Sequence, residues 1–162
     1  MGANSPVKTI ETLRFGTLDV DTSAIIQFVT PILGFEGLNE FVILDHEPDS
    51  PFNWMQSLQD PALSFVITNP AYFDIEYEFV LPEDACSILK VQSPSDILVY
   101  TLVTIPDDNP MKMTTNLLGP IVIHMQTNQA MQVILNDNKK FQTKVRLLSD
   151  ASLDAFNPNE SG

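Results

Sequence analysis

The chain of 162 residues carries a net charge of -13, with 44% apolar and 18% charged side chains. That balance describes a globular protein with enough residues for one sizeable core, and it argues against disorder and against direct binding of nucleic acid. No apolar run approaches the roughly 18 residues that a bilayer-crossing helix requires.

The single cysteine, Cys86, excludes an internal disulfide, and the N-terminal MGANSPVKTIET holds no apolar signal region. Both features fit a reducing, cytoplasmic setting. The charge is unevenly placed. Every lysine and arginine lies at or before Arg14 or at or after Lys90, so residues 15–89 hold thirteen acids and no base. A field of one sign steers cationic partners in, although solubility alone also favours an acidic surface.

In chain order, Thr9–Phe15 and Thr17–Asp21 alternate around Gly16 and read as a hairpin or two short strands. Thr22–Thr30 is open between a strand and a helical turn. Pro31 and Gly34 punctuate the next stretch, with a turn or short helix expected at Phe35–Asn39. Phe41–Leu44 is a continuous apolar run, as in a strand buried on both faces.

Pro51–Phe79 is the aromatic centre of the chain. It holds the one tryptophan, Trp54, together with Tyr72, Tyr77 and four of the ten phenylalanines. Three strands are expected in it, Phe52–Ser57, Leu63–Thr68 and Ile75–Val80, separated by the Asp60-Pro61 and Asn69-Pro70 breaks. Pro82 at the first helical position, with Glu83 and Asp84 behind it, opens a helix running to about Leu89. Ile97–Ile105 is the strongest strand, long and rich in β-branched residues.

The remaining elements are a turn at Pro106–Pro110, an approach at Met113–Leu118, and strands at Ile121–Met125 and Met131–Leu135 joined as a hairpin. Lys139–Leu148 reads as a last strand or an extended arm. The pattern predicts an all-β, mostly antiparallel, barrel-like fold with one or two short helices. It is read as one domain over 1–162, with its core at about 9–148 and a mobile tail at 149–162.

Catalytic signatures for phosphate, dinucleotide or nucleophile chemistry are missing from the sequence. His46 and His124 stand far apart, and Cys86 reads as a packing group. Asp45, Glu47 and Asp49 alternate in one loop, which either offers oxygens to a hard cation or is a solvated turn. In Asp74-Ile75-Glu76-Tyr77-Glu78-Phe79, strand alternation places Ile75, Tyr77 and Phe79 toward the core and Asp74, Glu76 and Glu78 outward. That row is either a solubilising edge or a docking strip for a lysine- or arginine-rich protein. A barrel binding a small ligand, or an enzyme built on one, is the rival; Asn53, Gln56, His124 or Asn116 would have to line its pocket.

Residues Pro51–Phe79, with Pro51-Phe52-Asn53-Trp54, Gln56-Ser57 and Asp60-Pro61, resemble a signature of the flagellar assembly factor FliW family. Further matching blocks are Met113–Ile123, Gln132-Val133-Ile134-Leu135 and Gly34-Phe35-Glu36, in the family's order over about residues 10–145. The chain departs from the family pattern at Val29-Thr30-Pro31 and at the non-basic Thr127–Met131. The resemblance implies a monomeric, non-catalytic, cofactor-free barrel of the cytoplasm. Such proteins bind flagellin, as a chaperone does, and also the basic RNA-binding translational repressor CsrA; sequestering CsrA relieves its repression of flagellin mRNA, and accumulated flagellin displaces CsrA. On that reading Asp74, Glu76 and Glu78 meet CsrA. Phe52, Trp54, Met55, Asn116, Leu117 and Leu118 supply an apolar groove for flagellin.

Overall fold

A computed structural model describes residues 6–45, 49–137 and 139–148. The expected mobile tail at 149–162, and His46 and Glu47 of the acidic loop, lie outside the described residues.

The strands are β1 (Val7–Thr12), β2 (Gly16–Asp21), β3 (Ile26–Phe28), β4 (Glu40–Asp45), β5 (Phe52–Ser57), β6 (Ser64–Thr68), β7 (Ile97–Thr104), β8 (Thr114–Thr115), β9 (Ile121–His124), β10 (Gln129–Gln132) and β11 (Val145–Arg146). Among the described residues one α-helix, α1, spans Glu83–Leu89. Seven strands close a barrel in the order β7-β6-β5-β4-β3-β10-β9, with β9 pairing back onto β7. β8 continues along β7 beyond β9, and β11 pairs with β8.

All of these pairings are antiparallel except β3 with β10, which is parallel. An odd ring cannot close with every neighbour antiparallel, so one parallel seam is required. The sequence places strands but not this closure.

Alternation decides the faces. Ile26, Phe28, Phe41, Met55, Ile67, Ile121, Ile123 and Ala130 fill the barrel interior. Phe41 meets Phe28 edge to face at 5.3 Å, an arrangement favoured by the ring quadrupoles. Three further clusters sit on the outer wall. Ile10 and Val20 of the β1–β2 hairpin cover Val42. Ala85 and Leu89, one turn apart on α1, cover Val122, Met131 and Val133. Met113, Leu147 and Leu148 pack with Phe52, Phe73 and Ile75.

The strands at Phe41–Leu44, Phe52–Ser57, Leu63–Thr68 and Ile97–Ile105 stand as expected to within a residue or so; the first hairpin also forms, but its first strand runs Val7–Thr12 where Thr9–Phe15 was expected, and its turn takes up residues 13–15 ahead of Gly16. At the hairpin turn the Thr12 hydroxyl donates to the Gly16 carbonyl at 2.8 Å, and Gly16 has φ +72°, a conformation that a Cβ would strain. Thr22–Thr30 resolves into both of its alternatives, a 3-10 turn at Thr22–Ala24 followed by β3. Residues 35–39 form turns and no helix. Pro82 precedes α1 with φ -56° and ψ 147°, one residue earlier than expected.

β10 ends at Gln132 instead of reaching Leu135. Its register nevertheless continues, with Val133 N–H donating to the Pro120 carbonyl and Leu135 N–H to the Leu118 carbonyl, both at 2.9 Å. Pro120 has no N–H to return, so the ladder there is one-sided. Within Lys139–Leu148 only Val145–Arg146 is a strand, alongside β8.

Candidate protein-binding surface

Asn69 Oδ1 accepts the Ala71 N–H at 3.0 Å and caps a 3-10 turn over Pro70–Phe73. Asp74 then adopts the left-handed conformation, φ 58°, and directs the chain off the edge of the barrel. The strand expected at Ile75–Val80 is therefore absent. Residues 75–81 instead form an extended strap on the outer wall, and no backbone hydrogen bond among the described residues ties Glu76–Val80 to a neighbour.

The alternation itself holds. Asp74, Glu76, Glu78 and Val80 are exposed, while Ile75, Tyr77, Phe79 and Leu81 are half-buried against the cluster that α1 covers. The Tyr77 hydroxyl donates to the Leu117 carbonyl, and its ring meets Phe141 edge-on at 5.4 Å. Burial pushes that hydroxyl far above the usual tyrosine range, so it stays a neutral donor at any physiological pH.

Two grooves lie between the strap and β7. One, of about 620 Å³, is lined by Tyr77, Phe79, Leu81, Cys86, Val91 and Ile97. The other, of about 410 Å³, is lined by Asn53, Tyr72, Tyr77, Phe79, Leu98 and Tyr100. Burial raises the Tyr100 hydroxyl above its ordinary range, with Tyr72 and Asp45 adding to the effect. The Asn53 side-chain amide donates to Asp45, which fixes one rim of the second groove.

The residues expected to form an apolar groove are not brought together. Phe52 and Trp54 lie on the outer face of β5, but Met55 points into the barrel and is fully buried. Leu117 is buried under the strap, so it too offers no contact area, whereas Leu118 is half-buried. Asn116 Oδ1 accepts the N–H groups of Leu118 and Gly119 at 3.0 and 2.9 Å, which commits it to a turn.

Trp54 belongs to a different groove of about 380 Å³, with Arg14, Val66, Val103, Ile105 and Pro110 in its walls and none of Asn116–Leu118. Phe15 meets the indole edge-on at 5.8 Å, and the Arg14 guanidinium stands 4.2 Å over it. Arg14 and Phe15 are the part that sequence reading missed. The signal was present, since the expected hairpin puts both at its turn, but not where that turn would dock.

Nor do the four residues required by a ligand pocket converge. Asn53 and Gln56 point to opposite faces of β5. The Gln56 amide donates to the Ser57 and Leu63 carbonyls at 3.0 Å and ties the β5–β6 loop. His124 is buried and accepts the Gln126 N–H at 3.2 Å. No metal-binding group of His, Cys, Asp and Glu occurs among the described residues.

Fold and surface thus define a small closed β-barrel whose acidic outer strap rides on an apolar cluster. The chain belongs to the flagellar assembly factor FliW family: the family model described as FliW protein matches residues 9–147. It is similar to the flagellar assembly factor FliW of Leptospira biflexa, 35% identical over 129 residues, covering 80% of this chain and 84% of that one. The Moorella thermoacetica protein of the same name is 35% identical over 153 residues, covering 94% and 96%. A crystal structure of the flagellar assembly factor FliW matches with a TM-score of 0.80 at 31% identity, over 88% of this chain and 99% of that one.

Proposed function

We propose that this protein is a non-catalytic flagellar assembly factor of the cytoplasm, a monomer that binds flagellin and CsrA as alternative partners. Binding CsrA removes the repressor from flagellin mRNA, and rising flagellin returns it. The observation that carries this reading is the strap: Asp74, Glu76 and Glu78 are exposed in a row, within the 75-residue stretch 15–89 that has no base. A cationic RNA-binding protein meets there a surface that attracts it and repels phosphate. Flagellin is assigned to outer-wall residues that keep exposed area, namely the aromatic Phe52 and Trp54 in one patch and Leu118 with its neighbour Asn116 in another. Met55 and Leu117 act beneath them as core.

Titrating purified CsrA into the full chain at increasing salt tests this reading. Exposed charges are screened beyond about 8–10 Å at physiological ionic strength, so affinity falls as salt rises, and added flagellin releases CsrA. A salt-independent affinity, or a stable ternary complex, would count against electrostatic capture with partner switching.

A further inference from the structure

β7 is longer than the strand that covers one of its sides. Along one edge it pairs with β9 through Ile97–Tyr100 and then with β8 through Val103–Thr104. Along the other edge β6 reaches only Thr101–Val103. β6 ends at Thr68 because Asn69-Pro70 follows. Extending the Thr68–Thr101 register puts Pro70 opposite Val99, and proline brings no N–H to a ladder.

The hydrogen bonds fix which groups are left over. Met125 N–H donates to the Asp96 carbonyl at 2.9 Å, and Asn116 N–H to the Leu102 carbonyl at 3.0 Å. Even-numbered residues of β7 therefore turn their backbone groups toward β9 and β8, and odd-numbered ones toward β6. Thr101 and Val103 find β6 there. Ile97 and Val99 face the uncovered side, and neither makes a backbone hydrogen bond outside the β9 ladder among the described residues. Both side chains are half-buried, and both line the two grooves beside the strap, together with Tyr77 and Phe79.

A free strand edge thus opens into a trough whose far wall is the unpaired strap. We propose that this trough takes an extended segment of a cationic protein partner by strand addition, pairing with the Ile97–Val99 edge of β7 and filling the place that β6 vacates. The occupant is a segment alternating basic and apolar residues. Its main chain satisfies the open edge, its apolar side chains enter the grooves lined by Tyr77, Phe79 and Ile97, and its basic side chains meet Glu76 and Glu78. Charge complementarity selects such a segment, since Glu78 stands exposed in the wall of one groove, Glu76 is exposed two residues before it on the strap, and the base of the trough is apolar. The inference rests on the reading of the strap as a cationic-protein site and adds that recognition is through the backbone as well as through charge.

The probe is a capped peptide of about eight residues alternating lysine and valine, beside the same peptide N-methylated at alternate residues and one with glutamate for lysine. Each is titrated against the full chain, with amide hydrogen exchange read residue by residue. The expected result is binding of the parent peptide, with exchange at Ile97 and Val99 slowed by about tenfold or more at saturation. The N-methylated peptide, which keeps the charge and loses the ladder, binds at least about tenfold more weakly, and the glutamate peptide does not bind. Failure of the parent to bind, equal binding of the N-methylated peptide, or binding that leaves Ile97 and Val99 unprotected would overturn strand addition. The charge-only reading of the strap fails separately, by retention of CsrA affinity after lysine replaces Asp74, Glu76 and Glu78.

Discussion

β5 and the strap are written in the same code and folded to different ends. Both send alternate residues to opposite faces, and both present an aromatic pair at i and i+2, Phe52 and Trp54 in one, Tyr77 and Phe79 in the other. β5 is laddered on both sides, to β4 and to β6, and its alternate residues build both the barrel interior and the outer wall. The strap has the same two-faced character and no ladder among the described residues. Alternation therefore specifies which way side chains point; whether the backbone is paired depends on what lies alongside. For the strap, the turn through Pro70 and the left-handed Asp74 carry the chain past the edge it would have joined.

The difference can be probed by substitution. Phe41→Ala empties the barrel interior next to Phe28 and Met55, and is expected to cost about 3–5 kcal/mol in urea unfolding, as large-to-small changes at buried aromatics do. Tyr77→Phe removes only the bond to the Leu117 carbonyl. Its cost is about 0.5–1.5 kcal/mol, and it speeds proteolytic cleavage within residues 75–81 while the β5 amides stay protected from exchange. A cost matching that of Phe41→Ala would mean that strap and barrel unfold as one unit.

Reversing Glu76 and Glu78 to lysine touches neither the ladder nor the apolar underside. Unfolding should shift by no more than about 0.5 kcal/mol, the range for surface changes away from special features.

The smallest effect concerns the approach to β7. Asp96 accepts the N–H groups of Gln92 and Ser93 at 2.9 and 3.0 Å. Those bonds hold its carboxyl below the usual value, with His124 adding a weaker pull. A lowered folded-state value means that the stabilisation is complete above the unfolded carboxylate range and fades as pH falls through the lowered value. Asp96→Asn should therefore be slightly less stable than the parent at neutral pH, with the gap closing in acid. A gap that is constant with pH would indicate that the carboxylate charge plays no part.

Local pattern carried most of the strands. The β-branched run at Ile97–Thr104, the apolar run at Phe41–Leu44 and the proline breaks after Gln59 and Thr68 each encode their own element. What was not legible is long-range. The parallel seam between Ile26–Phe28 and Gln129–Gln132 joins residues about a hundred positions apart and follows from the parity of the ring. The shortened β10 follows from Pro120 on its neighbour. At the surface, the exposure of Asp74, Glu76 and Glu78 could be read from alternation. The burial of Met55 and Leu117 could have been read in part, because Met55 is out of phase with Phe52 and Trp54. The separation of Trp54 from Asn116–Leu118, and the Arg14 guanidinium over the indole, depend on how the first hairpin and the strap dock, which no local pattern states.

The most direct test of the central claim is the affinity of one variant, with Asp74, Glu76 and Glu78 all replaced by lysine, for CsrA and for flagellin, measured side by side on protein whose unfolding curve matches the parent. If the strap is the cationic-protein site, CsrA affinity falls by about a hundredfold or more, of the order that several opposed charges across an interface produce, and flagellin affinity changes little. Equal loss of both partners, or retention of CsrA, would contradict it.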